Sequence, residues 1–336
     1  MKRNGFSPYP QAGAAVDAVV IGRNEGARLL ACLASLQGQV RRIIYVDSGS
    51  QDGSPGAATA AGAELVVLET DRPFTAARAR NAGLKRLAEG EGPQADFVLF
   101  LDGDCSLREG FLSAALEAFG READLVVVCG RRRERFPQLS VYNRLCDREW
   151  NTPVGEALAC GGDALMRLQP VLAIGGYRED LIAGEEPELC QRLRRVGGRI
   201  RRIDAEMTWH DAAMTRFAQF WRRSKRAGHA FAEGAALHGA GPDGHWRAET
   251  RRALFWGAVL PLASIGMGLI SWPGFLLLLA FPLQMARLAW RWRAEGRAGA
   301  EAAIFTTIGK IPEAIGAIGF CLGRLRGKRP QLIEYK

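Results

Sequence analysis

The sequence predicts an α/β domain built on a mainly parallel sheet, followed by apolar helices that associate with a membrane. Three observations carry this. Short apolar runs at 16–21 (VDAVVI), 42–46 (RIIYV), 64–68 (ELVVL) and 97–101 (FVLFL) alternate with helical stretches at 27–37, 57–61 and 76–87, the pattern of parallel strands joined by right-handed crossovers. Two of these strands run straight into acids, Asp47 and Asp102, and so deliver carboxylates to one sheet edge, where ligands bind in open α/β sheets. No charged residue occurs from 253 to 286, a run longer than the ~20 residues that one spanning helix needs.

Composition bounds the rest. A chain of 336 residues has room for one large α/β domain and more, and 48% hydrophobic with 24% charged residues excludes a disordered chain. The net charge of +9 is unevenly placed, with arginine clusters at 131–135, 192–202, 216–226 and 287–297. Such a balance suits nucleic acid, an anionic membrane surface or a phosphorylated substrate. Seven cysteines without a C-x-x-C pair point to a reducing compartment, and away from a disulfide framework or a zinc site. Residues 1–15 carry basic residues but no apolar h-region, so they are expected to be a tail rather than a signal peptide, and the first domain to stay in the cytosol.

Along the chain, the first strand leads into the loop Gly22-Arg23-Asn24-Glu25-Gly26, and the helix after it has Leu29, Leu30, Leu33 and Leu36 on one face. The second strand ends in a loop of turn formers, 47–53 (DSGSQDG). The fourth strand, 97–101, has the length and residue types of a strand buried on both faces and stops at Asp102-Gly103-Asp104. Two acids flanking a glycine can hold a hard divalent cation; taken alone, they equally suit a polar turn capping a helix from Ser106. The matching acid at Asp47 favours the first reading. No G-x-G-x-x-G follows the first strand and no G-x-x-x-x-G-K-[ST] occurs anywhere, which counts against a dinucleotide-binding Rossmann domain and a P-loop. Downstream, 187–196 reads as a helix with a core face at Leu189, Leu193 and Val196, and 200–203 as a strand.

The series VVIGRNEG, IIYVDSGSQDGS, ARARNAGL and FLDGDC, continued by GGDALMR, IGGYRED and GEEPELCQRLRRVGGRI, resembles the family 2 glycosyltransferases over about residues 16–211. The resemblance implies a GT-A fold, inverting chemistry and a sugar-nucleotide donor. It places Ile21, Arg23 and Glu25 in the base and ribose pocket and makes Asp47 the acceptor of a hydrogen bond from the base. It sets Arg80 and Asn81 near the pyrophosphate, with Arg78 nearby. Asp102 and Asp104 match the D-x-D motif, Asp104 as metal ligand and Asp102 on the ribose or the metal, which would be Mg²⁺ or Mn²⁺. Gly161, Gly162 and Asp163 fall on the acceptor side, and His210 completes the metal shell or touches the pyrophosphate. Glu186 aligns with the catalytic base, with Glu185 or Glu188 as alternatives. The chain departs from the family at Gly22-Arg23, usually Pro-aromatic, and at Glu186, usually Asp. It also lacks the Trp of Q-x-x-R-W after Gln191, which favours single addition over polymer synthesis.

The remainder reads as membrane-associated. In 214–231, Phe217, Phe220 and Trp221 are interleaved with Arg216, Arg222, Arg223, Lys225 and Arg226, a composition suited to an in-plane interfacial helix. The uncharged run, broken at Ser271-Trp272-Pro273-Gly274, makes two short spans or a re-entrant pair over 251–290, with basic residues at both ends. The segment 302–323 contains Lys310, Pro312 and Glu313, precedes Arg324, Arg326, Lys328 and Arg329, and reads as an interfacial or shallowly inserted helix within 291–336. The expected organisation is therefore a tail (1–15), a glycosyltransferase domain (16–212), an amphipathic helix and linker (213–250), the hairpin and the basic C-terminal helix. The expected function is transfer of a sugar from a nucleotide sugar, in the first instance a UDP-sugar, to a lipid-linked or membrane-proximal glycan acceptor. The expected location is the inner membrane, with the catalytic domain on the cytosolic face. The departures keep a second reading open, a non-catalytic nucleotide-sugar-binding or scaffold subunit. Nucleic acid is not expected as a partner, because it would leave the uncharged run unexplained.

Overall fold

The computed structural model describes residues 13–69, 72–89 and 93–327. Most of the expected N-terminal tail, and the basic residues Lys328 and Arg329, lie outside the described residues. The chain divides into two compact units. The first runs to Phe136 and adds Cys146–Asp180 and Glu185–Ala212; the second takes Pro137–Leu145, Leu181–Gly184 and the residues from Ala213 on. The expected boundary after 212 is thus crossed by two short segments from inside the first domain.

In the first unit, β1 (Val16–Gly22), β2 (Arg42–Asp47), β3 (Glu64–Val67) and β4 (Phe97–Asp102) form the parallel half of the sheet, with α1 (Ala27–Leu36), α2 (Ser54–Ala60) and α3 (Ala76–Ala88) as crossovers. Asp17 can be buried inside β1 because Arg41 pairs with it at 2.7 Å. Leu29, Cys32, Leu33 and Leu36 bury one face of α1. The second crossover starts at Ser54, ahead of the expected 57, because Pro55 fits the first turn of a helix. Thr75 caps α3, its hydroxyl accepting from Arg78 N at 3.2 Å.

After Asp104 the chain forms a strand, β5 (Cys105–Leu107), rather than a helix from Ser106, then α4 (Phe111–Arg121), β6 (Leu125–Glu134), α5 (Val141–Glu149), β7 (Gly155–Glu156), β8 (Ala164–Arg167), α6 (Leu168–Ala173), α7 (Glu185–Arg195) and β9 (Arg199–His210). The sheet order is β3-β2-β1-β4-β8-β6-β9-β5, with β7 on β9. β8 is antiparallel to β4 and β6, while β6 and β9 are parallel. The sheet is therefore mixed and mainly parallel, as the sequence predicts. β9 extends well past the expected 200–203, so that His210 ends the strand instead of following it. Tyr45, Phe97, Phe100, Phe111 and Phe119 are the largest wholly buried side chains of the core.

The second unit is helical: α8 (Phe217–His238), α9 (Arg247–Leu254), α10 (Leu260–Ile270), α11 (Ala280–Arg291), α12 (Gly296–Ile308) and α13 (Lys310–Leu325). One face of α8, the expected interfacial helix, lies against α13. The approach is so close that a Cβ on Gly228 would sit 1.9 Å from Glu313 O, and one on Gly316 1.9 Å from Lys225 O. Three helical stretches, Arg247–Ile270, Trp272–Arg291 and Arg293–Leu325, with 24, 20 and 33 residues, are long and apolar enough to cross a membrane. At a rise of ~1.5 Å per residue they reach about 36, 30 and 50 Å, against a hydrocarbon core of about 30 Å. The third was expected as an interfacial or shallowly inserted helix because it contains Lys310, Pro312 and Glu313. Its two charges, Lys310 and Glu313, pair at 2.6 Å, which lowers the cost of placing them in an apolar surrounding. Leu262, Leu269, Ile270, Trp272 and Leu283 are exposed, as side chains facing lipid are.

Candidate active site

Strand register assembles the site. Ile21 is opposite Asp102 and Gly22 opposite Asp47, so the carboxyl ends of β2, β1 and β4 form one edge. His210 lies opposite both Cys105 on β5 and Glu134 on β6, which brings the end of β9 to the Asp102-Gly103-Asp104 turn.

Asp104 and His210 are both buried, and His210 Nε2 lies 3.4 Å from Asp104 Oδ1. Two cis ligands of an octahedral ion with bonds of about 2.1 Å are about 3 Å apart, so this pair fits a hard to borderline divalent cation held by one oxygen and one imidazole. Behind the ring, His210 Nδ1 is without a hydrogen-bond partner and faces Glu134 Oε2 at 3.8 Å. That is where metal-ligating histidines keep an orienting carboxylate. Trp150 packs edge-on against the ring, centroids 4.6 Å apart.

Asp102 is claimed first by protein. Arg80 donates from Nη2 to Asp102 Oδ1 at 2.8 Å and from Nη1 to Glu185 Oε1 at 2.7 Å, with Tyr177 under the guanidinium at 5.5 Å. Burial disfavours the Arg80 charge, but Asp102, Tyr177 and Glu185 outweigh it and leave the group firmly protonated. A fixed cation thus links the D-x-D turn to the start of α7. Gly162 closes over it: a Cβ there would come within 2.9 Å of Asp102 Oδ2 and Arg132 Nη2, so any larger residue would have to displace these charged side-chain ends. Asp163, expected on the acceptor side, is instead wholly buried. It accepts from Thr208 Oγ1 at 2.8 Å and from Asp102 N at 3.3 Å and pairs with Arg132 at 3.0 Å, so it braces the turn from beneath.

The three acids of α7 have different surroundings. Glu188 is buried and bound by Arg192 at 2.8 Å, whose guanidinium also donates to Ile174 O and Gly176 O, which removes it as a candidate base. Glu185 holds Arg80. Glu186 accepts on Oε1 from Cys160 N at 2.7 Å, Cys160 Sγ at 3.0 Å and Cys190 Sγ at 2.9 Å. Burial pushes its carboxyl above the ordinary value, and the cysteine donors partly oppose that shift. With Oε1 occupied, Oε2 is the oxygen left to take a proton.

Several residues expected at the nucleotide pocket have protein partners of their own. Arg23 lies over the Phe74 ring at 5.6 Å, and Phe74 also backs the Gly49 loop. Ile21 lines β1 beside it, and the Glu25 stem folds over Gly103 while its carboxylate pairs with Arg28 at 2.8 Å. Asp47, expected to bind the base, is turned inward. It accepts from Tyr45 Oη at 3.0 Å, Gly49 N at 3.0 Å and Ser50 N at 2.8 Å, and so shapes its own loop. Arg78 is likewise spent on Arg72 O and Glu69 O, and Asn81 pins the Gly-Gly-Tyr segment through Tyr177 N and O. Phe74, Trp150 and Cys160 join the site without any motif to announce them, while Cys190 and Arg132 lie inside a quoted motif and an arginine cluster that did not single them out. Only the aromatic and cysteine types, lying within a few residues of motif positions, could have flagged them.

Comparison with known proteins agrees with this frame. Residues 17–157 match the glycosyl transferase family 2 model. The succinoglycan biosynthesis protein ExoA of Rhizobium meliloti is 27% identical over 191 residues, 53% of this chain and 57% of that protein. A pre-mycofactocin glycosyltransferase of Mycobacterium tuberculosis is 29% identical over 233 residues, 61% of this chain and 45% of that protein. The chain thus spans about half the length of these curated relatives. The mannosyltransferase PcManGT from Pyrobaculum calidifontis, solved with GDP-Man and Mn²⁺, shares the fold. Its TM-score is 0.63 at 19% identity, over 94% of this chain and 91% of that one. With the motifs in their expected order on a mixed, mainly parallel sheet, residues 17–157 match glycosyl transferase family 2 and the chain has the GT-A fold.

Proposed function

We propose that the chain is an inverting, metal-dependent glycosyltransferase that moves a sugar from a nucleotide sugar, in the first instance a UDP-sugar, to a hydroxyl of a lipid-linked or membrane-proximal glycan acceptor. The observation that carries this reading is the charge relay of the sheet edge: Asp104 with His210 on one side, Arg80 joining Asp102 to Glu185 in the middle, and Glu186 held by two thiols beyond. Asp104 and His210, with Asp102 beside them, would hold Mg²⁺ or Mn²⁺, which as a Lewis acid neutralises charge on a departing nucleoside diphosphate. Arg80 supplies a second, permanent positive charge for the diphosphate, exchanging its carboxylate partners for phosphate oxygens. Glu186 takes the acceptor hydroxyl's proton on Oε2, and its raised carboxyl pKa makes it a stronger base than an exposed glutamate. Gly161, with nothing within 4 Å of where a Cβ would stand, leaves room for the acceptor's approach, and Gly162 lets the loop close on Asp102 and Arg132.

The apolar helices support an acceptor that arrives from a bilayer. Arg247, Arg251 and Arg252 at one end of the hairpin, and Arg287, Arg291, Arg293 and Arg297 at the other, favour placing both ends in the cytosol, where nucleotide sugars are made available. An inner-membrane location with the catalytic unit on the cytosolic face follows. The test is transfer of labelled sugar from UDP-sugars to a lipid extract by membranes carrying the native chain or Asp104→Ala, with Mn²⁺. Loss in the variant supports the reading, and unchanged activity overturns the metal assignment. Nucleotide binding by the native chain without transfer to any extract would favour the binding-subunit reading instead.

A further inference from the structure

A second groove in the first unit, of about 710 Å³, lies away from the D-x-D turn and is lined by Arg131, Arg133 and Arg202 together with Asn151, Thr152 and Asp204. Two of its arginines have resident partners: Arg131 pairs with Asp147 at 3.1 Å, and Arg133 with Glu206 at 2.8 Å. Arg202 is different. It is 5% exposed, its Nε has no hydrogen-bond partner, and among the described residues no carboxylate forms an ion pair with it. Asp204, on the same strand, lies exposed at the groove and does not pair with it. A buried guanidinium without a counter-ion is a costly arrangement, which an anion entering the groove would relieve. Burial is the main cause that lowers the pKa of Arg131; Asp147 opposes it, and the nearby Arg133 and Arg202 add to it. Asp147 and Glu206, which also line the groove, are taken up by Arg131 and Arg133; beside Pro153, Val154 and Ala205 the lining adds an amide, a hydroxyl and the Asp204 carboxylate, groups that hydrogen-bond sugar hydroxyls, and the volume is that of a small-molecule site.

We propose that this groove binds a hydroxyl-rich ligand carrying one oxyanion, an acidic sugar whose phosphate or carboxylate docks on Arg202. It is separate from the donor site: Arg132, between Arg131 and Arg133 on β6, turns to the opposite face and pairs with Asp163. The groove is also next to that site, because Asn151 and Thr152 directly follow Trp150, which packs on His210. The proposal requires no sugar transfer, so it stands or falls independently of the function proposed above.

The test uses the full chain in detergent with glucose 6-phosphate, glucuronate, inorganic phosphate and glucose as probes, read by calorimetry and thermal shift. At least one anionic sugar should bind and raise Tm, inorganic phosphate more weakly, and glucose not at all; the phosphate and carboxylate arms tell which oxyanion the site takes. Asp104→Ala should bind the anionic sugar as the native chain does, which separates the groove from the donor site. Arg202→Met should lower affinity at least tenfold while leaving the ligand-free Tm unchanged or higher, since it removes an uncompensated buried charge. If Arg202→Met does not fold, or its ligand-free Tm drops, the arginine is structural and the proposal fails. Thr152→Val, at the edge of the groove, should weaken sugar binding without affecting Tm. Binding by none of the anionic probes, or equal binding to Arg202→Met, overturns the proposal.

Discussion

Replacing both Cys160 and Cys190 by alanine isolates what the thiols do for Glu186. Both Sγ atoms lie within 3.0 Å of Glu186 Oε1, and both oppose the burial that raises its pKa. Each hydrogen bond to the ionised carboxylate contributes about 1 kcal/mol, and 1.36 kcal/mol corresponds to one pKa unit, so losing two raises the pKa by about 1–1.5 units. The Cys160 N–H bond at 2.7 Å survives in the variant, so the carboxylate keeps an anchor. The assay is the pH dependence of kcat/KM for sugar transfer. A base must be ionised to act, so activity climbs with pH through the Glu186 pKa, and the acidic limb of the double variant should move up by about 1–1.5 pH units. The plateau at high pH should change little. An acidic limb that stays in place while the plateau falls would refute the argument, because it would mean that the thiols only pack.

Three other outcomes follow from the geometry. His210→Ala, which removes the imidazole 3.4 Å from Asp104, should weaken Mn²⁺ binding by about 10–100-fold while leaving metal-free nucleotide binding intact, as read by metal titration. Gly162→Ala should abolish transfer and lower thermal stability, because its Cβ would lie 2.9 Å from Asp102 Oδ2 and Arg132 Nη2. Glu186→Gln should stabilise the fold increasingly as pH rises. Since the folded-state pKa is raised, the native chain loses stability from the unfolded value of about 4.3 up through the folded one, and glutamine does not. A stability difference that is flat from pH 4 to 8 in chemical denaturation would contradict the direction of that shift.

The parallel half of the sheet was legible because β1, β2 and β4 are nearly continuous apolar runs, which both-face burial demands. β9 was legible only in part. Its charged positions, Arg201, Arg202, Asp204 and Glu206, face grooves and salt bridges rather than solvent alone, so its pattern does not alternate. Motifs located the acids but not their partners. Asp47, Asp163 and Arg78 stand at motif positions, yet their side chains are consumed by Tyr45 on the same strand, by Thr208 on β9 and by the backbone carbonyls of Arg72 and Glu69. Glu185 and Glu186 are adjacent in sequence. Only the fold shows that one is tied to Arg80 and the other to two cysteines 26 residues upstream and 4 downstream. The hairpin of the second unit was visible as uncharged sequence, but the pairing of Lys310 with Glu313 in that unit's last helix was not.

The most direct test is the turnover of Glu186→Gln with saturating nucleotide sugar, Mn²⁺ and acceptor, measured beside donor binding. The account predicts donor affinity within about twofold of the native chain and a transfer rate lower by about 10²–10⁴-fold, the usual worth of a general base. Transfer at the native rate by Glu186→Gln, with Glu185→Gln inactive although it binds donor normally, would contradict it and move the base to Glu185.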